Sequence, residues 1–166
     1  MIELLLFILI GAVMYLIQWM VRVQSGGKKI LVYVVSGLVG GLIASLLAEY
    51  TLPLQASMIG EAVWPGMMIM GLIGGIVLYL ASALNLYQSS LFQMFSTLLL
   101  GIATGLITLG VYTVYAAIAR IPWLIVSQIG HKRFSFTIIM FCVLGFLIIF
   151  GYAMTARFIV RFRRTK

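Results

Sequence analysis

The residues that could do chemistry in this chain are few and scattered. Its acidic side chains are Glu3, Glu49 and Glu61, and it contains no aspartate. Its single histidine, His131, precedes Lys132 and Arg133, and its single cysteine, Cys142, lies inside an apolar run. Metal catalysis usually takes three protein ligands, and neither an HExxH motif nor a nucleophile elbow occurs. The sequence therefore predicts a protein that is not an enzyme and that holds no metal or cofactor.

Glu49 has the most informative position of the three acids. It ends a row of small residues in the segment LLAEY, where an unpaired charge would be costly beside lipid. The carboxylates are either solvated at the membrane interface or paired with bases. In the second case we expect Glu49 or Glu61 to pair with Arg120 or Arg133 in a charged vestibule that receives a substrate or a partner's loop.

A row of hydroxyl groups follows one helical face of the fourth apolar run. Its members are Thr97, Thr104, Thr108 and Tyr112. Threonine hydroxyls in a helix can bond back to the carbonyl one turn earlier. Otherwise this face lines a polar path or a small binding pocket. The sequence leaves both interpretations open, and we take the four residues as candidate binding residues.

Two glycine pentapeptides, GLVGG (37–41) and GLIGG (71–75), raise the question of a phosphate loop. Such a loop needs a strand before it and a lysine after it, and both are missing here. Inside membrane helices, glycine instead permits close backbone packing. The predicted packing residues are Gly37, Gly40, Gly41, Gly71, Gly74, Gly75, Gly101 and Gly105. We expect helices two to four to pack tightly on one another, with helices one and five more exposed to lipid. The two similar pentapeptides could also reflect an inverted repeat.

The elements that must position these residues are membrane spans. The chain is 64% hydrophobic and 8% charged, with a mean hydropathy of +1.21, whereas soluble domains are about 25% charged. We predict an all-α polytopic membrane protein that forms one membrane domain over 1–166, with no cleaved signal. The five expected transmembrane helices cover about 2–21, 30–50, 64–84, 91–119 and 134–156. Pro65 is expected in the first turn of the third span, and 120–133 should be interfacial or re-entrant.

The basic residues predict the orientation of the bundle. The net charge is +8, and the bases cluster at the ends of apolar runs, which favours membrane orientation over nucleic-acid binding. With the C-terminus in the cytoplasm, eight bases lie inside and three lie outside. The inner ones are Arg22, Lys28, Lys29, Arg157, Arg161, Arg163, Arg164 and Lys166, and the outer ones are Arg120, Lys132 and Arg133. The N-terminus is then outside.

The basic cytoplasmic tail, 157–166, is expected to contact the anionic inner leaflet of the bilayer. Its lipid-contacting residues would be Arg157, Arg161, Arg163, Arg164 and Lys166. Docking of a partner protein on the tail is the other interpretation.

Two classes of function fit this architecture. The first is an accessory or regulatory subunit of a membrane complex, which needs no catalytic residue. The second is a transport component, either a small carrier protomer or a substrate-binding membrane subunit, with its site between helices two to four. The expected partners are the lipid bilayer and another membrane protein or a second copy, without nucleic acid. The small size and short basic loops favour a bacterial plasma membrane.

Overall fold

The structure, a computed structural model, describes residues 2–21, 27–51, 56–84, 90–118 and 131–164. Within these ranges, side chains are described for 4–21, 28–48, 65–84, 95–115, 117–118 and 137–162. Apart from the turn residue Leu84, every described residue lies in an α-helix, and no β-strand occurs among them.

Five helices follow one another in the described ranges. They are α1 (Ile2–Val21), α2 (Gly27–Thr51), α3 (Ala56–Ala83), α4 (Ser90–Ile118) and α5 (His131–Arg164). Each contains a stretch that is long and apolar enough to cross a membrane. A helix suits that environment because it satisfies its backbone hydrogen bonds internally. These stretches are Leu4–Val21, Lys28–Ala48, Pro65–Ala83, Phe95–Tyr115 and Thr137–Phe162. The expectation of an all-α membrane protein with five spanning helices is confirmed at this level.

Two helices extend well beyond the spans expected from hydropathy. Helix α3 begins at Ala56, so part of the expected link before Trp64 is helical. Helix α5 begins at His131 and continues through Arg164, so most of the basic tail belongs to the last helix. The tail contains no glycine or proline, and arginine is a good helix former, so nothing in its sequence ends the helix early. The rest of the expected re-entrant segment, 120–130, lies outside the described residues.

Pro65 lies in the interior of α3, and its expected place in the first turn is wrong. The prediction placed the helix start at the proline because proline is favoured there. The residues before it, ASMIGEAV, also form helix. A proline inside a helix leaves the carbonyl one turn earlier without its helical donor. Membrane helices tolerate this loss where neighbouring groups or water satisfy the carbonyl.

The helices form a ring in which each packs on the next and α5 returns to α1. Consecutive helices run antiparallel; in the α2–α3 pair, Tyr33 lies against Gly75 while Gly41 lies against Met67. The α2–α3 and α4–α5 interfaces are the most extensive, and the α3–α4 interface is much smaller. Tight packing of α4 on α3 was expected, and the structure pairs α4 with α5 instead. The reason is Gly145 of α5, which lies against Gly101.

Helices α1 and α5 also contribute side chains to the buried core of the bundle. Ile10 and Met14 of α1 and Ile148 of α5 have no exposed surface. A methyl group added at Gly11 or at Gly151 would collide with the backbone of the opposite helix, so these two helices are in direct backbone contact. Even so, the spanning stretches of α1 and α5 bury a smaller share of their residues than those of α2, α3 and α4, which agrees with the expectation that helices one and five are more exposed to lipid.

Gly74 marks the centre of the bundle. A methyl group on its Cα would lie 3.4 Å from Cγ2 of Ile148, 3.8 Å from Cγ2 of Thr104 and 3.9 Å from Cε of Met14. Four helices, α1, α3, α4 and α5, therefore meet around this glycine. All three neighbouring atoms are apolar, so the middle of the bundle is filled by side-chain packing.

Candidate functional site

Charged residues divide the bundle into two ends. The end at which α1 begins, α2 ends and α3 begins carries Glu3, Glu49 and Glu61, and we call it the acidic end. The opposite end, where α2 begins and α5 ends, carries Lys28, Lys29, Arg157 and Arg161, and we call it the basic end. Helices consecutive in the chain are antiparallel, so each set of residues gathers at one end. The helix arrangement alone thus separates all three carboxylates from these four bases.

The expected charged vestibule belongs to the acidic end. Glu49 is in the last turn of α2 and Glu61 is near the start of α3, so their backbones are at the same end of two helices in contact. Their side chains lie outside the described residues, as do Arg120 and the side chain of Arg133. A pair between these acids and bases stays a prediction.

The hydroxyl row of α4 faces the interior of the bundle. Thr97 and Tyr112 are buried, and Thr104 and Thr108 have no exposed surface. The Thr104 hydroxyl donates to the carbonyl of Leu100 at 2.7 Å, and the Thr108 hydroxyl donates to the carbonyl of Thr104 at 2.7 Å. Both threonines are therefore satisfied within their own helix, which lets a polar group be buried at little cost.

Tyr112 joins three helices at its end of the hydroxyl row. Its ring centroid lies 6.1 Å from that of Phe141 on α5 and 6.2 Å from that of Tyr115 on α4. A methyl group on Gly66 of α3 would lie 3.5 Å from the Tyr112 ring. Tyr112 thus packs as an aromatic side chain between α3, α4 and α5.

The glycine pentapeptides lie against each other across the α2–α3 interface. A methyl group on Gly37 would collide with the carbonyl oxygen of Gly71, and one on Gly71 would collide with that of Gly37. Gly41 and Gly75 repeat this contact on either side, against Met67 and Tyr33. The remaining predicted packing residues contact other helices: Gly40 faces α1, Gly74 faces the centre, and Gly101 and Gly105 face α5.

The basic tail exposes arginines and phenylalanines together. Arg157 and Arg161 are exposed, and the rings of Phe158 and Phe162 stack with centroids 6.5 Å apart. Both phenylalanines are also largely exposed. The side chains of Arg163 and Arg164 and all of Lys166 lie outside the described residues. This end of α5 therefore presents charge and apolar surface to its surroundings.

A hydrogen-bonded chain near the basic end was not predicted. The Tyr152 hydroxyl on α5 donates to Oε1 of Gln18 on α1 at 2.7 Å. Nε2 of Gln18 donates to Oγ of Ser36 on α2 at 3.0 Å, and Ser36 Oγ donates to the carbonyl of Tyr33 at 2.9 Å. Tyr15 adds an edge-to-face contact with Tyr152, with ring centroids 5.2 Å apart. Three helices are thereby joined by polar side chains.

The sequence holds a signal that could have revealed this chain. Gln18 continues the buried row Leu6, Ile10 and Met14 at four-residue spacing, so it had to face the interior. Ser36 precedes Gly40 and Ala44 with the same spacing. A polar residue in such a row needs a hydrogen-bonding partner on another helix or on its own backbone.

The second polar contact of the basic end links α2 to α3. Nζ of Lys29 donates to Oγ of Ser82 at 2.8 Å. One turn deeper, the rings of Tyr33 and Tyr79 meet edge to face with centroids 6.0 Å apart.

Among the described residues, no three His, Cys, Asp or Glu side chains are grouped as metal ligands would be. Cys142 is a half-buried free thiol on α5. No protein-family model, no curated protein and no solved structure matches this chain.

Proposed function

We propose that this protein is an accessory or regulatory subunit of a membrane complex, without catalytic chemistry of its own. The observation that carries the proposal is the packing of the bundle centre. Ile10, Met14, Ile148 and Ile149 have no exposed surface, and Met14 and Ile148 reach the point where four helices meet at Gly74. A bundle filled in this way acts on other molecules through its outer surface.

The buried hydroxyls support the same function. Thr104 and Thr108 donate their hydroxyl protons to carbonyls of their own helix, so these donors are already engaged. The Gln18 amide likewise uses both its oxygen and its nitrogen to hold α5 and α2. These polar groups form hydrogen bonds within and between the helices. Such bonds suit a subunit that presents a fixed shape to a partner.

The proposed setting is the plasma membrane of a bacterium, with the basic end in the cytoplasm. Eight of the eleven bases then lie inside, as the positive-inside rule requires. The exposed arginines and phenylalanines at the end of α5 would contact anionic lipid of the inner leaflet. The segment 120–130 would lie in or near the opposite interface. The protein partner would be another membrane protein or a second copy of this chain.

Affinity purification in mild detergent, followed by mass spectrometry, tests the proposed role. We expect a membrane protein to co-purify in stoichiometric amount, and an unrelated five-span protein with the same tag should not retain it. Recovery of the chain alone, together with a stability that rises on addition of a small solute, would contradict the proposal.

A transport component is the second candidate. The position of the hydroxyl row on the interior face of α4 favours it, whereas the helical bonds of Thr104 and Thr108 favour the accessory role. Transport would require Thr104 and Thr108 to exchange their helical bonds for bonds to a substrate. The substitutions Thr104→Val and Thr108→Val nearly preserve shape and remove the hydroxyls. A transporter should then lose its response to the solute, whereas an accessory subunit should still retain its partner.

A further inference from the structure

Lys29 is a half-buried ammonium in the first turns of α2, at the basic end of the bundle. Its Nζ donates to Oγ of Ser82, which lies in the last turn of α3, at 2.8 Å. The contact bridges the α2–α3 interface at the point where the helices leave the apolar part of the bundle. A neutral hydroxyl is thus the hydrogen-bonding partner that the structure gives to this charge.

No aspartate or glutamate of the chain can neutralise Lys29. All three glutamates lie at the acidic end. The one on the same helix, Glu49, is five to six turns away, which is about 30 Å along the helix axis. The C-terminus of α3 offers only the partial negative charge of its carbonyls, equivalent to about half an elementary charge. Partly burying an ammonium is costly without an opposite charge, so the site calls for an anion from elsewhere.

The groups around Lys29 are hydrogen-bond donors with apolar walls. The ammonium has three protons, and one of them is used on Ser82. The Ser82 hydroxyl accepts that bond and keeps its own proton to donate. One turn deeper on the same two helices, the rings of Tyr33 and Tyr79 meet edge to face. Donors without a carboxylate between them suit the oxygens of a phosphate group.

We propose that Lys29 and Ser82 bind a phosphate ester, and that its source is the headgroup of an anionic phospholipid whose chains lie along the α2–α3 interface. Lys29 lies at the end of the stretch Lys28–Ala48, where headgroups are expected to meet a spanning helix. This inference depends neither on the accessory role nor on which side of the membrane the basic end faces.

Lys28 provides the matched control. It is the neighbouring residue, carries the same charge and is exposed rather than half-buried. If bases attracted anionic lipid only diffusely, removing Lys28 or Lys29 would weaken lipid binding equally. A site formed with Ser82 would depend on Lys29 far more than on Lys28.

The test measures retention of lipid by the full chain, purified in mild detergent and stripped of its own lipid. Phosphatidylglycerol, phosphatidylcholine and inorganic phosphate are added separately, and bound lipid is counted by native mass spectrometry alongside thermal unfolding. We expect phosphatidylglycerol to bind and to raise the unfolding temperature. Lys29→Gln should weaken its binding at least about fivefold, as expected for the loss of one base at a membrane surface. Ser82→Ala should also weaken it, and Lys28→Gln should have a clearly smaller effect than Lys29→Gln.

Several results would overturn the site. Equal losses for Lys28→Gln and Lys29→Gln would show diffuse attraction. Equal binding of phosphatidylcholine would rule out selection by negative charge. If the protein binds inorganic phosphate but does not retain phosphatidylglycerol, the phosphate group does not come from a lipid headgroup, and the proposal is wrong. If Lys29→Gln does not fold, the Ser82→Ala variant decides, because it leaves every charge in place; unchanged lipid binding in that variant contradicts the proposal.

Discussion

At the scale of residues, the chain from Tyr152 through Gln18 to Ser36 is the most specific feature of the bundle. Each donor meets one acceptor, and the donors all point the same way, from α5 towards α2. The Gln18 amide bonds to both neighbours at once, with its oxygen accepting from Tyr152 and its nitrogen donating to Ser36. Such a chain fixes the rotation of α1 between α5 and α2, which apolar packing would specify less strictly.

Removing one hydroxyl from this chain should weaken the fold measurably. The Tyr152→Phe variant keeps the ring and its contact with Tyr15 but leaves Oε1 of Gln18 without its donor. We expect the free energy of unfolding to fall by about 0.6 kcal/mol and by no more than about 1.7 kcal/mol, the range for hydrogen bonds between membrane helices. Far-UV circular dichroism during titration with a denaturing detergent measures the change.

Tyr33→Phe is the matched control for this experiment. It makes the same chemical change in a tyrosine whose hydroxyl bonds to no residue that the structure describes. Its side-chain ring contacts Tyr79, and the Tyr33 carbonyl, which accepts from Ser36, is unaffected. Equal losses in the two variants would mean that the Tyr152–Gln18 bond contributes nothing specific.

At the scale of elements, glycine determines which helices come into backbone contact. A methyl group on Gly145 would lie 2.6 Å from the backbone nitrogen of Gly105 and would collide with the carbonyl of Gly101. These three residues therefore bring α4 and α5 closer than any side chain would allow. In a membrane, where hiding apolar surface gives no advantage, such close packing is a main source of attraction between helices.

Two glycines of α4 should respond in opposite ways to the same substitution. A methyl group on Gly105 would meet Cα of Cys142 at 2.7 Å and collide with the Phe141 carbonyl, whereas one on Gly110 would meet nothing within 4 Å. Gly105→Ala should lower the free energy of unfolding by about 1–3 kcal/mol, as overpacking does. Gly110→Ala should leave it unchanged or raise it by up to about 1 kcal/mol, because alanine is the better helix former.

Detergent titration followed by circular dichroism compares the two variants directly. Because both lie on α4 and make the same change, differences in helix propensity cancel. Tolerance of alanine at both positions would show that α4 does not contact α5 through Gly105.

At the scale of the whole molecule, the bundle is polarised. All three glutamates lie at the acidic end, and the lysines and arginines whose side chains the structure describes, Lys28, Lys29, Arg157 and Arg161, lie at the basic end. A uniform charge distribution would leave the insertion direction undetermined, whereas this asymmetry gives it a strong bias. The same asymmetry leaves Lys29 without a carboxylate, which connects the orientation of the protein to its proposed lipid site.

Cysteine labelling in intact cells tests the predicted orientation. In a Cys142→Ala background, a membrane-impermeant maleimide should label Glu3→Cys directly and label Thr165→Cys only after permeabilisation. The positive-inside rule predicts this result because most bases lie near Thr165. Labelling of Thr165→Cys in intact cells, with Glu3→Cys protected, would reverse the orientation.

The sequence by itself determined the class and number of elements. Five apolar runs in a chain with 8% charged residues predict five spanning helices, because a lipid-exposed backbone must satisfy its own hydrogen bonds. It also determined which face of each helix carries small residues, since helical periodicity is local. The glycines at 37, 41, 71 and 75 lie where α2 and α3 meet.

Only the tertiary structure decided which helices those faces meet. Periodicity shows that Gly101 and Gly105 share a face of α4, but it does not show that Gly145 of α5 lies opposite them. Nor could it pair Gln18 with Ser36 and Tyr152, because the three residues are far apart in sequence. Residue spacing along one helix constrains which face of that helix points inward. Which helix packs against that face depends on complementary shape and hydrogen bonding between the two helices, and these are defined only by the tertiary structure.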